Sequence, residues 1–154
     1  MVKKSAGILL YKIRNNCVEI FLVHLGGPYW KNKDLGCWSI PKGEFTEEEQ
    51  PLDAAIREFN EETGIKLSGD FIKLTPIKQK GGKIVYAWAN KSDIEQSTFS
   101  CKSKVNIEWP PKSGKIQSFP EVDKFEWFSL EKAKQKINPS QATLLDELIK
   151  YITV

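Results

Sequence analysis

Between Pro51 and Gly64 lies the segment whose residues leave least choice of local structure. Leu52, Ala55, Ile56 and Phe59 recur at helical spacing and define an apolar stripe that must be buried. Pro51 suits the first turn, where a missing amide hydrogen costs nothing, and Glu47, Glu48 and Glu49 lie at the positive end of the helix dipole. Gly64 supplies the C-terminal cap, since glycine enters the left-handed region without a Cβ penalty. A helix with one buried stripe needs a second layer beneath it.

The flanking segments provide strands for that layer. Ser5 to Ile13 and Cys17 to His24 alternate as paired strands across an Asn15-Asn16 turn. Leu25 to Gly36 is a loop rich in Gly, Pro and aromatics. Trp38 to Pro41 is short and extended, because Pro41 turns Ile40 away from helix. Phe71 to Lys80 and Lys83 to Asn90 predict a hairpin across Gly81-Gly82. From Ser92 to Pro120, Pro110-Pro111 and Ser113-Gly114 are expected to break any regular element. Val122 to Phe128 reads as a strand, and Ser129 caps a short helix from Leu130 to Lys136. Asn138-Pro139-Ser140 opens a last helix with Leu144, Leu145, Leu148 and Ile149 on its buried side. With no internal repeat or linker, the order implies one α/β domain over residues 1–154, with helices against a mixed sheet.

A chain of 154 residues can bury a proper core without disulfide or metal staples. A net charge of +3 spread over scattered lysines suits an anionic small molecule and argues against a nucleic-acid partner. Cys17, Cys37 and Cys101 are odd in number and match no metal-ligand spacing. Free thiols in a reducing cytoplasm are the expectation, with Cys37 incidental to any chemistry. No stretch approaches transmembrane length, so no membrane partner is expected. The oligomeric state stays open.

Glu58, Glu61 and Glu62 stand at i, i+3 and i+4, so they emerge on one helical face, opposite the apolar stripe. Three such carboxylates repel one another, and a hard divalent cation bound through oxygen would relieve them. On the triplet alone a solvated acidic face is the commoner meaning. The wider spacing points the other way. Gly43 is followed after five residues by Glu49, and seven more lead to Arg57-Glu58-Phe59-Asn60-Glu61-Glu62-Thr63-Gly64-Ile65. This pattern resembles the complete Nudix box of the Nudix hydrolases, seven positions matching in identity and two in character. Chance would produce it on the order of once in 10⁸ registers at average composition. Phe59 is bulkier than the aliphatic residue usual at its position. The resemblance spans nearly the whole chain, with Ser92 to Pro120 looking like an insertion.

The resemblance implies a Nudix-type α/β/α sandwich with a mixed central sheet. It also implies metal-dependent hydrolysis of a pyrophosphate bond in a nucleoside diphosphate linked to another moiety. Dinucleoside polyphosphates, modified nucleoside triphosphates and nucleotide sugars all fit. Glu58, Glu61 and Glu62 would be carboxylate ligands of Mg2+ or Mn2+, the Gly43 carbonyl a further ligand, and Glu49 and Arg57 an ion pair holding loop to helix. Lys42 would face substrate phosphates. One further acidic residue is implied near the last strand, as ligand or general base. Glu121, in a loop after Pro120, is preferred over Glu126, which alternates with Trp127 in the strand. Tyr29, Trp30 and Trp109 sit in Pro/Gly-rich segments and are candidates for stacking a nucleobase, whereas Trp38 and Trp88 read as core. His24 is expected to be structural. The alternative is a non-catalytic nucleotide-binding regulatory domain on the same fold; such domains usually lose box glutamates, and none is lost here.

Overall fold

A computed structural model describes residues 2–152; the ends of the expected domain, Met1, Thr153 and Val154, lie outside them. Strands β1 (Lys4–Arg14) and β2 (Cys17–Leu25) form the predicted hairpin, and both turn residues, Asn15 and Asn16, take positive φ. Asparagine tolerates that region better than other residues with a Cβ. The strands stay paired only from Tyr11↔Ile20 to Arg14↔Cys17. Beyond that they separate, and the chain returns into the wedge. There β3 (Trp38–Ser39) pairs with β2, and β4 (Lys42–Glu44) pairs with β1 at Ser5, Ala6 and Gly7. This wedge fixes the position of Lys42 and Gly43.

Strand β5 (Phe71–Lys73) and strand β6 (Ile77–Lys78) both pair antiparallel with β7 (Ile84–Lys91), which runs parallel to β1. The expected single first arm of this hairpin is thus divided in two. Pro76, which has no amide hydrogen to donate, stands in the gap. Strand β10 (Val122–Ser129) closes the other edge of the sheet, whose order is β10-β2-β1-β7-β5. The sheet is mixed, as expected.

Side chains alternate along β1 and feed two cores. Leu9 and Tyr11 pack with Leu144, Leu145 and Leu148, whereas Ala6, Ile8 and Leu10 pack with Ala54, Ala55 and Phe59. The second core belongs to helix α1 (Pro51–Thr63), which ends at Gly64 in the left-handed region. Phe59 is wholly buried, a contribution of roughly 1.5–3 kcal/mol for a side chain of that kind. The first core lies under α2 (Leu130–Lys136) and α3 (Ala142–Tyr151). Ser129 caps α2 by accepting from the Lys132 amide, while Ile149, expected inside, is 36% exposed. The result is the expected α/β/α arrangement.

The stretch expected to lack regular structure contains a second, two-stranded sheet. Strands β8 (Lys104–Glu108) and β9 (Ile116–Pro120) pair from Lys104↔Pro120 to Glu108↔Ile116. Pro110-Pro111 and Ser113-Gly114 occupy its turn rather than interrupting a strand, and Lys112 and Gly114 take positive φ there. Half-buried Val105, Ile107 and Phe119 alternate with exposed Lys104, Asn106 and Ser118, a period of two that the lysines and prolines obscure. Among the described residues, no helix is long and apolar enough to cross a membrane.

Candidate active site

Three carboxylates converge where α1, β4 and the start of β10 meet. Glu58, Glu62 and Glu121 each offer an oxygen within 4.8 Å of the others. Glu121 is the single residue joining β9 to β10, and its backbone is tied on both sides. Its amide donates to the Ser103 carbonyl (3.1 Å), and its own carbonyl accepts from the Gly26 amide (2.9 Å). The loop that carries Glu121 is therefore pinned on both sides. Glu126 stands apart, exposed in β10 opposite Leu22.

Burial corrects the expectation of an acidic outer face. Glu58 is 8% and Glu62 2% exposed, because the wedge segment and the β9–β10 junction cover this side of α1. Glu61 alone keeps a largely open side chain, 44% exposed, and stays outside the cluster. Gly43 shows how tight the cover is: a Cβ there would lie 2.0 Å from Glu58 Cδ. Its φ is not positive, so glycine is needed for room rather than for conformation.

The electrostatics follow. Burial, then the neighbouring Glu61, pushes the Glu58 carboxyl up to about 7 despite the opposing Arg57. Burial, then Glu121 and Glu58, pushes Glu62 up to about 9, with Lys42 opposing. Glu62 Oε2 is buried and finds no hydrogen-bond partner among the described residues. Two buried carboxylates, a third beside them and an orphaned oxygen form an all-oxygen donor set that fits a hard divalent cation.

Beside this cluster Arg57 grips Glu49 through two parallel bonds, Nε to Oε2 (2.8 Å) and Nη2 to Oε1 (2.9 Å). Its Nη1 also donates to Glu58 (2.9 Å) and Glu61 (3.2 Å). These bonds hold the Glu49 carboxyl below its usual range and fix the approach to α1. A small cavity of about 160 Å³ opens beside the cluster, lined by Glu62, Glu121, Lys42, Trp30 and Gln141 among others. Burial, with Lys83 adding to it, lowers the pKa of the Lys42 ammonium, while Glu62, Glu44 and Glu121 pull it back up.

Residues 1–148 match the NUDIX domain family. The chain belongs to the Nudix family. It is 31% identical over 115 residues to the mRNA-decapping protein g5R of African swine fever virus (isolate Warthog/Namibia/Wart80/1980), covering 73% of this chain and 44% of the viral protein. It thus spans less than half the length of that relative. It is 24% identical over 153 residues to the RNA pyrophosphohydrolase of Brucella anthropi, with 86% of each covered. Among solved structures, the Ap4A hydrolase of C. elegans in a binary complex superposes with a TM-score of 0.64 at 23% identity, covering 97% of both chains. That likeness speaks for the fold.

Within the Nudix frame the three expected stacking residues separate. Trp30 lines the cavity beside Lys42. Tyr29 and Trp109 instead meet edge to face at 5.3 Å, outside that cavity. Trp38 and Trp88 are buried in the two cores, as expected. His24 is wholly buried, its Nδ1 2.7 Å from Asp123 Oδ1 and its Nε2 2.7 Å from the Lys33 carbonyl. It ties the loop after β2 to β10. Cys37 is half-buried at the cavity wall.

One cavity residue has no counterpart among those expected from the sequence. Gln141 is 1% exposed; its Oε1 accepts from the Ile40 amide (3.1 Å) and its Nε2 donates to Ser39 Oγ (3.0 Å). It locks the wedge segment to the entry of α3. The only trace in the sequence is its place after the Asn138-Pro139-Ser140 helix opening, which marks a helix start and no partner.

Proposed function

We propose that this Nudix chain is a pyrophosphohydrolase that cleaves a pyrophosphate bond in a nucleoside diphosphate linked to another moiety, with Mg2+ or Mn2+ as cofactor. The observation that carries the reading is Glu62: a buried carboxylate with an orphaned oxygen, crowded by Glu58 and Glu121. Such an arrangement is unfavourable for stability by itself, and a cation relieves it. Glu58 and Glu62 would hold the ion, with Glu61 and the Gly43 carbonyl as further donors and Glu121 beside them. When bound, the ion neutralises phosphate charge and lowers the cost of generating hydroxide from water.

The chain's own residues do the rest. Lys42, at the cavity wall, neutralises a phosphate oxygen with its ammonium group. Glu121 takes the proton from a water whose oxygen attacks phosphorus, and the bridging P–O bond breaks with the second phosphate leaving. Arg57 positions the helix through Glu49 and touches no substrate. Trp30 offers a ring face to a nucleobase at the cavity. Three unpaired thiols suit a reducing compartment, in keeping with a cytoplasmic enzyme.

The named relatives widen the substrate class. Two of them are named for mRNA decapping and RNA pyrophosphate hydrolysis, so a nucleotide attached to RNA joins the free nucleotides as substrate. The test is a panel of dinucleoside polyphosphates, nucleoside triphosphates, nucleotide sugars and 5′-triphosphorylated and capped RNA. Product release in magnesium or manganese that stops with excess chelator is expected. Binding without cleavage of any compound would favour the regulatory-domain reading.

A further inference from the structure

His24, the single histidine of the chain, is wholly buried near the end of β2, between the segments that carry Glu121 and Trp30. Strand β10 does not run straight past it. The register shifts from Val122↔Leu25 to Lys124↔His24, so Asp123 is the extra residue of a β-bulge. A bulge re-aims the side chain it carries and bends its strand. Here it brings the Asp123 carboxylate to the imidazole, with Oδ1 2.7 Å from Nδ1. Glu121 directly precedes the bulged segment, so what fixes the bulge also fixes Glu121.

On the other side of the ring, Nε2 lies 2.7 Å from the Lys33 carbonyl. Lys33 folds back on the loop that bears Trp30. Its amide donates to the Trp30 carbonyl (3.0 Å), and the Trp30 amide donates to the Gly27 carbonyl (3.3 Å). Lys33 Nζ also stands 5.4 Å from the centre of the Trp30 ring. Trp38 meets the imidazole at 5.2 Å, and the nearby Asp34 is already engaged by Trp38 Nε1 and Lys136.

Both partners of the ring are acceptors. A carbonyl and a carboxylate offer lone pairs only, and a neutral imidazole has one N–H to give. With a single proton, one of the two contacts would set lone pair against lone pair in a place closed to water. Two protons satisfy both. Imidazole is a stronger base than a carboxylate, so the ring holds both and Asp123 is its counter-charge.

We propose that His24 is a positioning residue of the hydrolytic site, a doubly protonated ring that clamps the strand carrying Glu121 to the loop carrying Trp30. This rests on the pyrophosphohydrolase reading, in which Glu121 takes the proton and Trp30 meets the nucleobase. The two bonds then have separable consequences. The Asp123 bond acts on the chemical step through Glu121, and the Lys33 bond acts on substrate affinity through Trp30.

The test pairs a spectrum with kinetics. Nitrogen-15 NMR of the untagged full chain at pH 7, read at its one histidine, should show a bonded proton on both ring nitrogens. A bare nitrogen overturns the clamp. His24→Asn places an amide N–H on the Asp123 side only, and should raise KM about tenfold, as loss of one stacked base gives, with kcat little changed. His24→Gln reaches the Lys33 side only, and should lower kcat by up to about 10²-fold with KM little changed. Because His24 is buried, the more open Asp123 supplies a second pair of variants. Asp123→Ala should repeat the kcat loss, and Asp123→Asn, which restores an acceptor oxygen, should recover most of it. Lowered melting temperatures with kcat and KM untouched, or the two constants changing together in every variant, would overturn the positioning role. Two bonded protons without cleavage of any compound would instead remove the enzymatic reading and leave the charged clamp.

Discussion

Glu49, Arg57 and Glu61 form one set of charges on and beside α1, and Glu58, Glu62 and Glu121 form another within a few ångströms of it. In the first set each carboxylate meets a guanidinium, and all three side chains are partly open to water. In the second, two carboxylates are buried, only Glu58 touches Arg57, and Glu62 keeps an orphaned oxygen. The same residue type thus serves opposite ends. The neutralised Glu49 holds the loop to the helix through Arg57. Carboxylates deprived of protein partners raise the energy of the empty site and leave it ready for a cation. Removing a charge should therefore harm stability in the first set and improve it in the second.

The sharpest way to break the contrast is Glu62→Gln. Turnover on the best substrate should fall well beyond the roughly 10- to 100-fold loss typical of residues that merely support metal ligands. Excess chelator should abolish wild-type turnover, with added magnesium or manganese restoring it. The metal-free variant should nevertheless melt above the metal-free wild type. A variant that melts early yet keeps its specific activity would place Glu62 with the structural set.

The next largest effect divides Glu121 from Glu126. Glu121 shares the cluster and should lose roughly 10²- to 10⁴-fold in turnover as Gln, the range for a group that handles a proton. Glu126 is exposed in β10, and its Gln variant should keep a rate close to wild type. Rates of both across a pH series decide it; collapse of the Glu126 variant alone would reverse the assignment and leave the box intact.

How far this contrast is legible in the sequence depends on the distance over which each part is specified. Helix α1, its proline start and its Gly64 cap follow from neighbours a few residues away, and the structure has them at those places. The β1–β2 hairpin is equally local. The burial of Glu58 and Glu62 is not, because the wedge between β1 and β2 and the β9–β10 junction cover them from distant parts of the chain. Helical periodicity alone puts those carboxylates opposite the apolar stripe and cannot register a second cover. The β8–β9 hairpin is hidden for another reason: its prolines and lysines resemble a loop, and only the alternation of Val105, Ile107 and Phe119 betrays pairing. Without it, the separation of Tyr29 and Trp109 from Trp30 has no visible cause.

Arg57→Ala probes the neutralised set. The bidentate bond to Glu49 is partly exposed, so its loss should cost about 1 kcal/mol, the upper end for surface pairs. For a chain of this length that is a melting temperature lower by about 2–4 °C. Activity should fall as well, because Glu58 loses its contact with the guanidinium and the segment bearing Gly43 loosens. An unchanged melting temperature would show that the pair contributes geometry without stability. Lys at this position should restore charge but not the parallel two-bond grip, so only part of the loss should be recovered.

The effect that isolates the second set is the pH dependence of metal-free stability. Glu58 and Glu62 are raised in the folded protein to about 7 and about 9, from an ordinary 4.5. Between the ordinary value and the raised ones the folded state binds more protons than the unfolded chain, so stability falls as pH rises across that interval. This is opposite in sign to a salt-bridged carboxylate such as Glu49, whose contribution is lost as pH falls. Thermal melts in chelator from pH 5 to 9 should decline across the range, most steeply below pH 7, where both groups contribute. Glu62→Gln, which cannot ionise, should flatten that decline, most visibly above pH 7. Saturating magnesium should flatten it in the wild type for a different reason, since a bound cation removes the penalty on the charged form. If the wild type and Glu62→Gln decline in parallel in chelator, the slope belongs to other groups, and the crowding around Glu62 has no energetic consequence.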